Sequence, residues 1–501
     1  MTTTVAHSAS PAAQAAGHFD VLIVGAGISG IDAAYYLQRE CPGRTFTLLE
    51  TQTDFGGTWR THKYPGIRSD SDLYTFGYKW KPWTGAPIAS AEQILKYLNE
   101  VLDDHDIRRH IRYQHEVRDA VWSSQDKRWT LTVRRRDTGQ VLTFTCDFLW
   151  MCQGYYRHEK PYTPEWTGMK RFTGKIVHPQ AWPEGLDYRG KRVIVIGSGA
   201  TAATIVPALG KDAAHVTMLQ RSPTFFFARP NRNDLADSLR ELDLPEEWVH
   251  EIVRRRILLD GQRLTERSFN DPEGLRKDLI DGARAQLGDD YDVDKHFNPR
   301  YRPWQQRIAF VPDADLFKAV RSGQASVVTD RIEHFTPHGI QLQSGAHLDA
   351  DVVITATGFH LNVLGDIAFS VDGQPLDFAT TTAWNGCMFT GVPNLAWVFG
   401  YLRASWTLRA DMMGDLVCRL LQHMDGRGAQ TVVPALRAQD ADMARLPWIT
   451  DDNFNAGYIQ RGVHLLPKQG DRAPWIHGQD YASERQTLPL ADLDDGSLAY
   501  G

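Results

Sequence analysis

Three glycines near the N-terminus have the spacing of a turn that binds a nucleotide pyrophosphate. Gly25, Gly27 and Gly30 follow an apolar strand pattern and precede a helical one, with Ser29 inside the turn. Such a turn binds an anion because bare backbone N–H groups and the N-terminus of the next helix both point towards it. Glu50 ends the following strand, where its carboxylate can accept hydrogen bonds from ribose hydroxyls. The pattern predicts a site for a dinucleotide without a 2′-phosphate, such as FAD; a tight loop that only packs a helix on a strand is the alternative.

A second glycine-rich turn, G-S-G-A-T-A, also stands between a strand and a helix. Its predicted phosphate contacts are Gly197, Ser198, Gly199, Ala200, Thr201 and Ala202. The following strand ends on Gln220, Arg221 and Ser222 instead of an acid. A guanidinium is suited to a 2′-phosphate, whereas an acid would favour NAD. The turn therefore predicts an NADPH site that includes Arg221 and Ser222, with a surface arginine beside an ordinary turn as the alternative.

Each turn needs a strand, a helix and a second strand to position it. The sequence supplies this unit twice, at 19–49 and at 192–219. The predicted fold class is α/β, with two Rossmann-like dinucleotide-binding domains, for FAD and NADPH, and a helical insertion in the NADPH domain. The predicted boundaries are a disordered N-terminal tail at 1–17, the first part of the FAD-binding domain at 18–165, the NADPH-binding domain at 166–375 with its insertion at about 224–300, and the C-terminal part of the FAD-binding domain at 376–501.

Between the two units the pattern predicts one helix and an antiparallel sheet. Ser90 and Gln93 have the spacing of a capping box that opens a helix over 94–102. Alternating apolar residues with intervening turns predict an antiparallel meander of strands at 115–123, 129–134 and 141–145, which ends in a buried run at 148–152.

Composition and charge restrict the possible partners. The 501 residues carry a net charge of −6 with both signs mixed, which argues against a nucleic-acid-binding surface. The five cysteines form no CxxC pair, and the run Asp103–Asp106 is typical of a solvated helix end, so neither a disulfide framework nor a metal site is predicted. No apolar run approaches the ~20 residues of a transmembrane helix. We therefore predict a cytoplasmic enzyme with small-molecule partners, either a monomer or a dimer.

The segment F-T-G-K-I-V-H-P-Q-A-W-P contains a further motif, formed by Phe172, Gly174, His178, Trp182 and Pro183. It resembles the fingerprint of type I Baeyer–Villiger monooxygenases, flavin enzymes that insert one oxygen atom of O2 beside a ketone carbonyl. In the related N- and S-oxidising flavin monooxygenases, the position of Trp182 is usually Tyr or Phe. In this fingerprint, His178 is expected to position the linker between domains and is not expected to be a catalytic base.

The resemblance extends from about Phe19 to Trp475 and is nearest to the ethionamide-activating branch of the family. The motifs that carry it are Y-P-G-I-R-S-D-S-D (64–72), H-P-Q-A-W-P (178–183), G-S-G-A-T-A (197–202) and L-P-K-Q-G (466–470). Two positions depart from the family. Gln306 stands where many members have a lysine that binds the NADPH phosphate, and Arg403 precedes A-S-W-T, where it could reshape the pocket.

The resemblance also implies roles for individual residues. Arg307, the last residue of P-W-Q-Q-R, aligns with the catalytic arginine, and Asp70 would lie beside the flavin ring and orient that arginine. The implied FAD contacts include Thr58, Trp59, Asp70 and Val117, and the implied nicotinamide contacts are Arg68, Ser69 and Asp70. From the residues alone, the 56–72 segment could equally be a structural loop with its acids on a solvated face.

The implied reaction uses FAD, NADPH and O2 to convert ketones to esters or lactones through a C4a-peroxyflavin. Sulfides and thioamides are expected as further substrates. The alternative function is that of an N- or S-oxidising flavin-containing monooxygenase. A flavin-linked disulfide reductase is excluded because its paired cysteines are absent, and a nucleotide-binding protein without turnover is the non-enzymatic alternative.

Overall fold

The described part of the chain begins with a strand, a helix and a second strand, as the first glycine turn predicts. The structure is a computed structural model that describes residues 14–501. Up to residue 151 its elements are β1 (Gln14–Val24), α1 (Ile28–Glu40), β2 (Phe46–Leu49), α2 (Thr58–Thr61), α3 (Leu73–Phe76), α4 (Ala91–Asp104), β3 (Ile111–Arg112), β4 (His115–Ser123), β5 (Arg128–Arg135) and β6 (Val141–Met151). The predicted capping box of α4 is confirmed, because Ser90 Oγ accepts from the Gln93 N–H and the Gln93 side chain accepts from the Ser90 N–H.

The first strand is longer than predicted. Residues 14–17, which we expected in a disordered tail, belong to β1 and pair in parallel with β6, with Gln14 opposite Leu142. That part of the prediction was wrong because the partner strand is distant in sequence and leaves no local signal. The rest of the predicted tail, residues 1–13, lies outside the described residues.

The middle of the chain forms the second dinucleotide-binding unit. Its elements are β7 (Lys175–Val177), β8 (Arg192–Ile196), α5 (Ala200–Leu209), β9 (His215–Gln220), β10 (Phe226–Arg229), α6 (Asp234–Glu241), α7 (Glu246–Asn270), α8 (Pro272–Leu287), α9 (Val293–Phe297), β11 (Ala309–Pro312), α10 (Asp315–Arg321), β12 (Ala325–Thr329), β13 (Ile332–Thr336), β14 (Gly339–Leu342), β15 (His347–Asp349) and β16 (Val352–Thr355). The second glycine turn lies between β8 and α5, as predicted.

The last third of the chain returns to the first unit. Its elements are β17 (Ala368–Val371), β18 (Gln374–Pro375), β19 (Ala383–Trp384), β20 (Met388–Phe389), β21 (Leu395–Trp397), α11 (Thr407–Arg427), β22 (Val432–Pro434), β23 (Leu446–Pro447), α12 (Gly457–Gly462), β24 (Lys468–Gln469), α13 (Tyr481–Thr487) and β25 (Leu498–Tyr500). Among residues 14–501, no helix combines the length and the apolar composition that crossing a membrane requires.

Two main sheets organise these elements. The first has nine strands in the order β18-β17-β4-β5-β6-β1-β2-β3, and β21 pairs with the end of β6. The predicted strand at 141–145 and the buried run that follows it belong to one strand, because β6 runs without interruption from the antiparallel meander into the parallel part of this sheet. The second sheet is parallel throughout, in the order β12-β9-β8-β16-β7. In sheets of this kind, ligands bind beyond the carboxyl ends of the strands.

The chain between β10 and β11 is mainly helical and contacts the first unit through α7. Arg254 of α7 is buried, and its guanidinium donates to the backbone carbonyls of Tyr74 (3.0 Å) and Gly77 (3.1 Å) at the end of α3. The same side chain lies 3.4 Å from the carboxylate of Asp411 in α11. Free carbonyls at a helix C-terminus need such donors, so α7 ties the helical segment to the first unit.

Candidate active site

A cavity of about 700 Å³ is lined by both dinucleotide-binding units. The first turn contributes Gly25 and Gly27 to its wall, and the start of α5 contributes Ala200 and Thr201. The N-termini of α1 and α5 therefore face one shared space. Because free N–H groups and the helix dipole favour negative charge there, the cavity can receive phosphate groups from two sides.

The first turn has no room for side chains. Gly25 has a φ of +102°, and a Cβ there would lie 2.8 Å from the carbonyl oxygen of Cys152. A Cβ on Gly30 would lie 1.9 Å from the carbonyl oxygen of Gly25. The backbone of Gly57 also comes close, since a Cβ on that residue would lie 3.3 Å from the Cα of Gly27. These glycines form a bare backbone cradle of the kind a pyrophosphate requires.

Glu50 lies at the end of β2 beside this cradle. Its carboxylate is buried and accepts hydrogen bonds from the N–H groups of Ala26 and Gln52, both at 2.8 Å. Burial raises the pKa of Glu50, and these backbone donors partly offset that effect. Each carboxylate oxygen can accept a second bond, so Glu50 can still bind ribose hydroxyls.

The cavity wall near the first turn also carries buried polar atoms that have no hydrogen-bond partner among residues 14–501. Thr58, Trp59 and Val117, the expected FAD contacts, line the cavity. Gln153 Oε1 and Asn362 Oδ1 belong to residues that also line it, and both atoms are buried with no hydrogen-bond donor among residues 14–501. An unpaired buried acceptor costs about 1–3 kcal/mol, so these two amides suit a ligand that brings N–H or O–H donors. The wall therefore fits a flavin dinucleotide.

The second turn is tight at its first glycine. Gly197 has a φ of +129°, and a Cβ there would lie 2.3 Å from the carbonyl oxygen of Ala356. Ser198 Oγ donates to the carbonyl of Ser222 (3.2 Å), so the turn is joined to the segment after β9. Arg221 is exposed and forms no ion pair with any of residues 14–501. Its guanidinium is therefore available to a ligand phosphate.

The loop from Tyr64 to Asp72 connects the two units. A Cβ on Gly66 would lie 2.8 Å from the Cβ of Ala208, so the loop packs closely on α5. Arg68 forms a bidentate ion pair with Asp315 of α10, at 2.5 and 3.2 Å. Ser69 is buried and donates to the carbonyl of Ser71 (2.9 Å). Arg68 lines the cavity, whereas the Ser69 side chain holds the loop in shape.

Arg307 and Asp70 meet on the cavity wall. Arg307 Nε lies 2.5 Å from Asp70 Oδ2, and Nη2 lies 2.9 Å from Oδ1. Nη2 also donates to Ser71 Oγ and Nη1 to the carbonyl of Leu402, both at 2.9 Å. These contacts use four of the five guanidinium N–H groups. One N–H on Nη1 is left without an acceptor among residues 14–501.

The guanidinium remains charged in this position. Burial lowers the pKa of Arg307, but the Asp70 carboxylate together with the nearby Tyr458 and Tyr155 outweighs this effect, and the net direction is upwards. The side chain is 29% exposed on the cavity side. The site therefore presents a fixed cation with one free donor to the space between the two turns.

The segment that carries Arg307 is held by the helical part of the second unit. Arg276 of α8 donates to Asn298 Oδ1 and to the carbonyl of Tyr301, both at 3.0 Å. Trp304 has a φ of +63°, an unusual conformation for a bulky residue that occurs where the surroundings impose it. Gln306, which stands where many members of the family have lysine, donates to Asn455 Oδ1 (3.1 Å).

His178 connects the two segments that join the units. Its Nδ1 accepts from the Gln180 N–H (3.1 Å), and its Nε2 donates to the carbonyl of Gly358 (3.2 Å). Burial lowers the pKa of His178 to about 4, against the opposing effect of the Gly358 carbonyl. A neutral imidazole with both nitrogens occupied is suited to holding the linker, as the fingerprint predicts.

Sequence reasoning missed a cluster of three tyrosines on the same wall, Tyr155, Tyr156 and Tyr458. The ring of Tyr155 stacks on Trp406 at 5.0 Å, and Trp406 Nε1 donates to Ser29 Oγ (2.8 Å) in the first turn. One signal could have found two of them, because they follow β6 at the carboxyl end of a parallel strand, where ligands bind.

Arg403, which departs from the family pattern, does not line the cavity. Its guanidinium lies over the ring of Phe269 at 5.3 Å and donates to the carbonyl of Asn453 (3.3 Å). Burial and the nearby charge of Arg302 lower the pKa of Arg403 to about 10. Its neighbour Leu402 contacts Arg307, so Arg403 affects the site only through the backbone.

Comparison with known proteins agrees with two nucleotide-binding units that belong to a flavoprotein oxidoreductase. Residues 23–85 match the NAD(P)-binding Rossmann-like domain, and residues 86–238 match the flavin-binding monooxygenase-like family. The chain is 45% identical over 485 residues to the FAD-containing monooxygenase EthA of Mycobacterium tuberculosis, covering 96% of this chain and 98% of that protein. It is 44% identical over 487 residues to the probable FAD-binding monooxygenase AlmA of Acinetobacter baylyi, covering 96% of each.

The fold is also that of a solved structure, an oxidised steroid monooxygenase bound to NADP. The TM-score is 0.76 at 23% identity, over 96% of this chain and 99% of that one. The chain belongs to the family of FAD-containing monooxygenases.

Proposed function

We propose that the protein is an NADPH-dependent Baeyer–Villiger monooxygenase with FAD as its cofactor. The balanced reaction is ketone + O2 + NADPH + H⁺ → ester or lactone + NADP⁺ + H2O. The observation that carries the proposal is the Arg307–Asp70 pair, which presents one free N–H to a cavity bordered by both glycine turns. Membership of the FAD-containing monooxygenases supports it independently.

FAD would be held at the first turn. Its pyrophosphate would lie against the N-terminus of α1, with Gly25, Gly27, Ser29 and Gly30 in the turn, and its ribose against Glu50. Thr58, Trp59, Asp70 and Val117 complete the proposed FAD contacts. When bound, FAD supplies the redox chemistry, accepting a hydride from NADPH and reacting with O2.

NADPH would be held at the second turn. Its pyrophosphate would lie against the backbone N–H groups of residues 197–202 at the N-terminus of α5. Its 2′-phosphate would bind Arg221 and Ser222. The nicotinamide would then point towards Arg68, Ser69 and Asp70, on the loop that packs against α5.

Arg307 would stabilise the negative charge that develops on oxygen during the reaction. A donor fixed in a site that excludes water stabilises such a charge more than water does, because it needs no reorganisation when the charge forms. Asp70 holds the guanidinium through two bonds and so fixes the direction of the free Nη1 N–H. Asp70 is in this sense a positioning residue for Arg307 as well as a proposed flavin contact.

The test is product analysis under 18O2. The purified protein, with FAD and NADPH, is incubated with 2-octanone or 4-phenyl-2-butanone, and the product mass is measured. We expect an ester that contains one 18O atom and is formed in proportion to NADPH consumed. Consumption of NADPH with sulfides oxygenated and no ketone converted would favour the alternative, an N- or S-oxidising flavin-containing monooxygenase.

The proposal also includes expectations about the substrates, the cellular location and the oligomeric state. The substrates are O2 and a ketone, with sulfides and thioamides as secondary substrates. A location in the cytoplasm, and a choice between monomer and dimer, stay predictions that fractionation and light scattering can test.

A further inference from the structure

Three tyrosines that line the same cavity as Arg307 form a cluster that the proposed mechanism does not use. The hydroxyl oxygens of Tyr155 and Tyr156 are 2.6 Å apart. The ring of Tyr458, at the start of α12, lies 6.4 Å from that of Tyr155 and 6.2 Å from that of Tyr156. All three line the cavity shared by the two turns. The cluster thus brings three phenol hydroxyls to the cavity wall that also carries Arg307 and Asp70.

These hydroxyls keep their protons at neutral pH. Burial raises the pKa of Tyr155, Tyr156 and Tyr458 above the ordinary value for a phenol. For Tyr458, the neighbouring Tyr155 hydroxyl and the Arg307 guanidinium act in the opposite direction, which strengthens this hydroxyl as a donor. A hydroxyl can accept a bond from a neighbour and still donate its own proton. Tyr458 is therefore equipped to donate to a ligand.

The charge expected in this cavity needs more than one donor. When an oxygen nucleophile adds to a ketone, the π electrons of the C=O bond move onto the carbonyl oxygen, which becomes negative. Sites that stabilise such an oxyanion converge two or more donors on it, 2.7–3.1 Å away. Arg307 offers one N–H, on Nη1, because its other four are bonded to Asp70, Ser71 and Leu402.

We propose that the Tyr458 hydroxyl is the second donor and hydrogen-bonds the carbonyl oxygen of the ketone together with Arg307 Nη1. This inference rests on the proposed ketone-oxygenating function and adds a catalytic residue to it. The hydroxyl keeps its proton, and the bond shortens as negative charge develops on the substrate oxygen and relaxes when the C=O bond forms again. No electron or atom is transferred to or from the tyrosine.

Tyr155 and Tyr156 act as positioning residues for this donor. Tyr155 is fixed by its stacking on Trp406, which is bonded to Ser29 of the first turn. Tyr156 packs on Phe359, with ring centroids 4.3 Å apart. The cluster is therefore attached both to the first turn and to the segment after β16, so its geometry depends on the two units being correctly joined.

The test compares ketones with sulfides in Tyr458→Phe. A sulfide has no carbonyl oxygen for the hydroxyl to hold, so the variant should lose ketone turnover selectively. We expect kcat for 4-phenyl-2-butanone to fall about 100-fold, the loss typical of one oxyanion donor, while sulfoxidation of thioanisole and anaerobic reduction of FAD by NADPH keep their rates. Tyr500→Phe is the control, because it removes a half-buried hydroxyl bonded to the Leu493 carbonyl in the C-terminal segment.

The outcomes separate this inference from the function on which it rests. Ester formation by the unmodified protein tests the ketone reaction without reference to Tyr458. If the unmodified protein makes ester and Tyr458→Phe makes it equally fast, or loses ester and sulfoxide to the same extent, the second-donor role is overturned while the function stands. If the unmodified protein makes no ester, the proposed function fails and the role of Tyr458 fails with it.

Discussion

Arg307 and Asp70 lie 237 positions apart in the sequence and form a bidentate ion pair across the joint between the two units. The arginine enters from the segment before β11, and the carboxylate enters from the loop between α2 and α3. Since each segment is anchored in a different unit, the pair forms only when the units are joined as the structure shows. The catalytic role that we propose for this pair would therefore depend on the assembly of both proposed nucleotide sites.

Replacing Arg307 by Ala should abolish oxygenation and leave FAD bound. Loss of one preorganised donor costs about 10²- to 10³-fold in rate, and the first glycine turn does not involve this side chain. The measurement is ester formed per NADPH consumed, with the visible flavin spectrum as the check on binding. Arg300→Ala, an exposed arginine in the same segment, is the matched control. Unchanged ester formation in Arg307→Ala would remove the catalytic assignment.

Replacing Arg221 by Ala should weaken NADPH and leave NADH unaffected. A hydrogen bond to a charged group contributes about 1.5–3 kcal/mol, and 1.4 kcal/mol corresponds to a tenfold change in affinity. Because Arg221 is exposed, we expect the lower end of that range, a rise of about tenfold in KM for NADPH. NADH lacks the 2′-phosphate and is the internal control. Equal use of both nucleotides by the unmodified protein would contradict the role of Arg221.

The local part of the fold could be predicted from the sequence. The strand at 115–123 has the predicted bounds, because its alternating apolar residues end at turn residues. Long-range pairing could not be predicted in this way. Residues 14–17 have no strand pattern of their own, and only their pairing with β6 makes them part of β1.

The residues of the candidate site could likewise be predicted only where their signal is local in sequence. The glycine turns and Glu50 were found from spacing, since their chemistry depends on neighbours in sequence. Arg307 could be selected only by resemblance, because its neighbours in sequence do not distinguish it from the other arginines. The contact that distinguishes it is with Asp70, which is distant in sequence. Tyr458 was missed altogether, since it joins Tyr155 and Tyr156 from a different part of the chain.

Removing the buried charge of Glu484 should destabilise the protein. Nη1 of the fully buried Arg409 lies 2.9 and 2.8 Å from the two carboxylate oxygens of Glu484, which also accepts a hydrogen bond from the hydroxyl of Tyr401. Breaking a buried pair by removing one partner costs about 3–5 kcal/mol. We therefore expect Glu484→Gln to lower the free energy of unfolding in denaturant by that amount. Glu247→Gln, at an exposed position in α7, should leave it unchanged.

The same variant should slow the reaction, because Tyr401 precedes Leu402, whose carbonyl binds Arg307. Activity and stability would then fall together in Glu484→Gln, and added FAD should not restore the rate. If Glu484→Gln has the same free energy of unfolding as the unmodified protein, Arg409 is satisfied without its acid, for example by the Asn385 carbonyl to which it also donates.

His178 should make the protein less stable as the pH falls from about 6.5 to 4. Its folded pKa is about 4 because it is buried, whereas a histidine in an unfolded chain has a pKa of about 6.5. Between these values the unfolded chain binds more protons, so the free energy of unfolding decreases as the pH is lowered. The loss from this one group is about 2 kcal/mol at pH 5.

The measurement is the free energy of unfolding of the unmodified protein and of His178→Asn at pH 7.5 and pH 5. Asparagine can still accept from the Gln180 N–H with its side-chain oxygen but does not titrate. The variant should be less stable at pH 7.5, since it lacks the Nε2 bond to Gly358. Its loss between the two pH values should nevertheless be smaller by about 2 kcal/mol than that of the unmodified protein. Equal losses would mean that His178 is protonated in the folded protein, and then Nδ1 could not accept from Gln180 and the linker contact would need a different geometry.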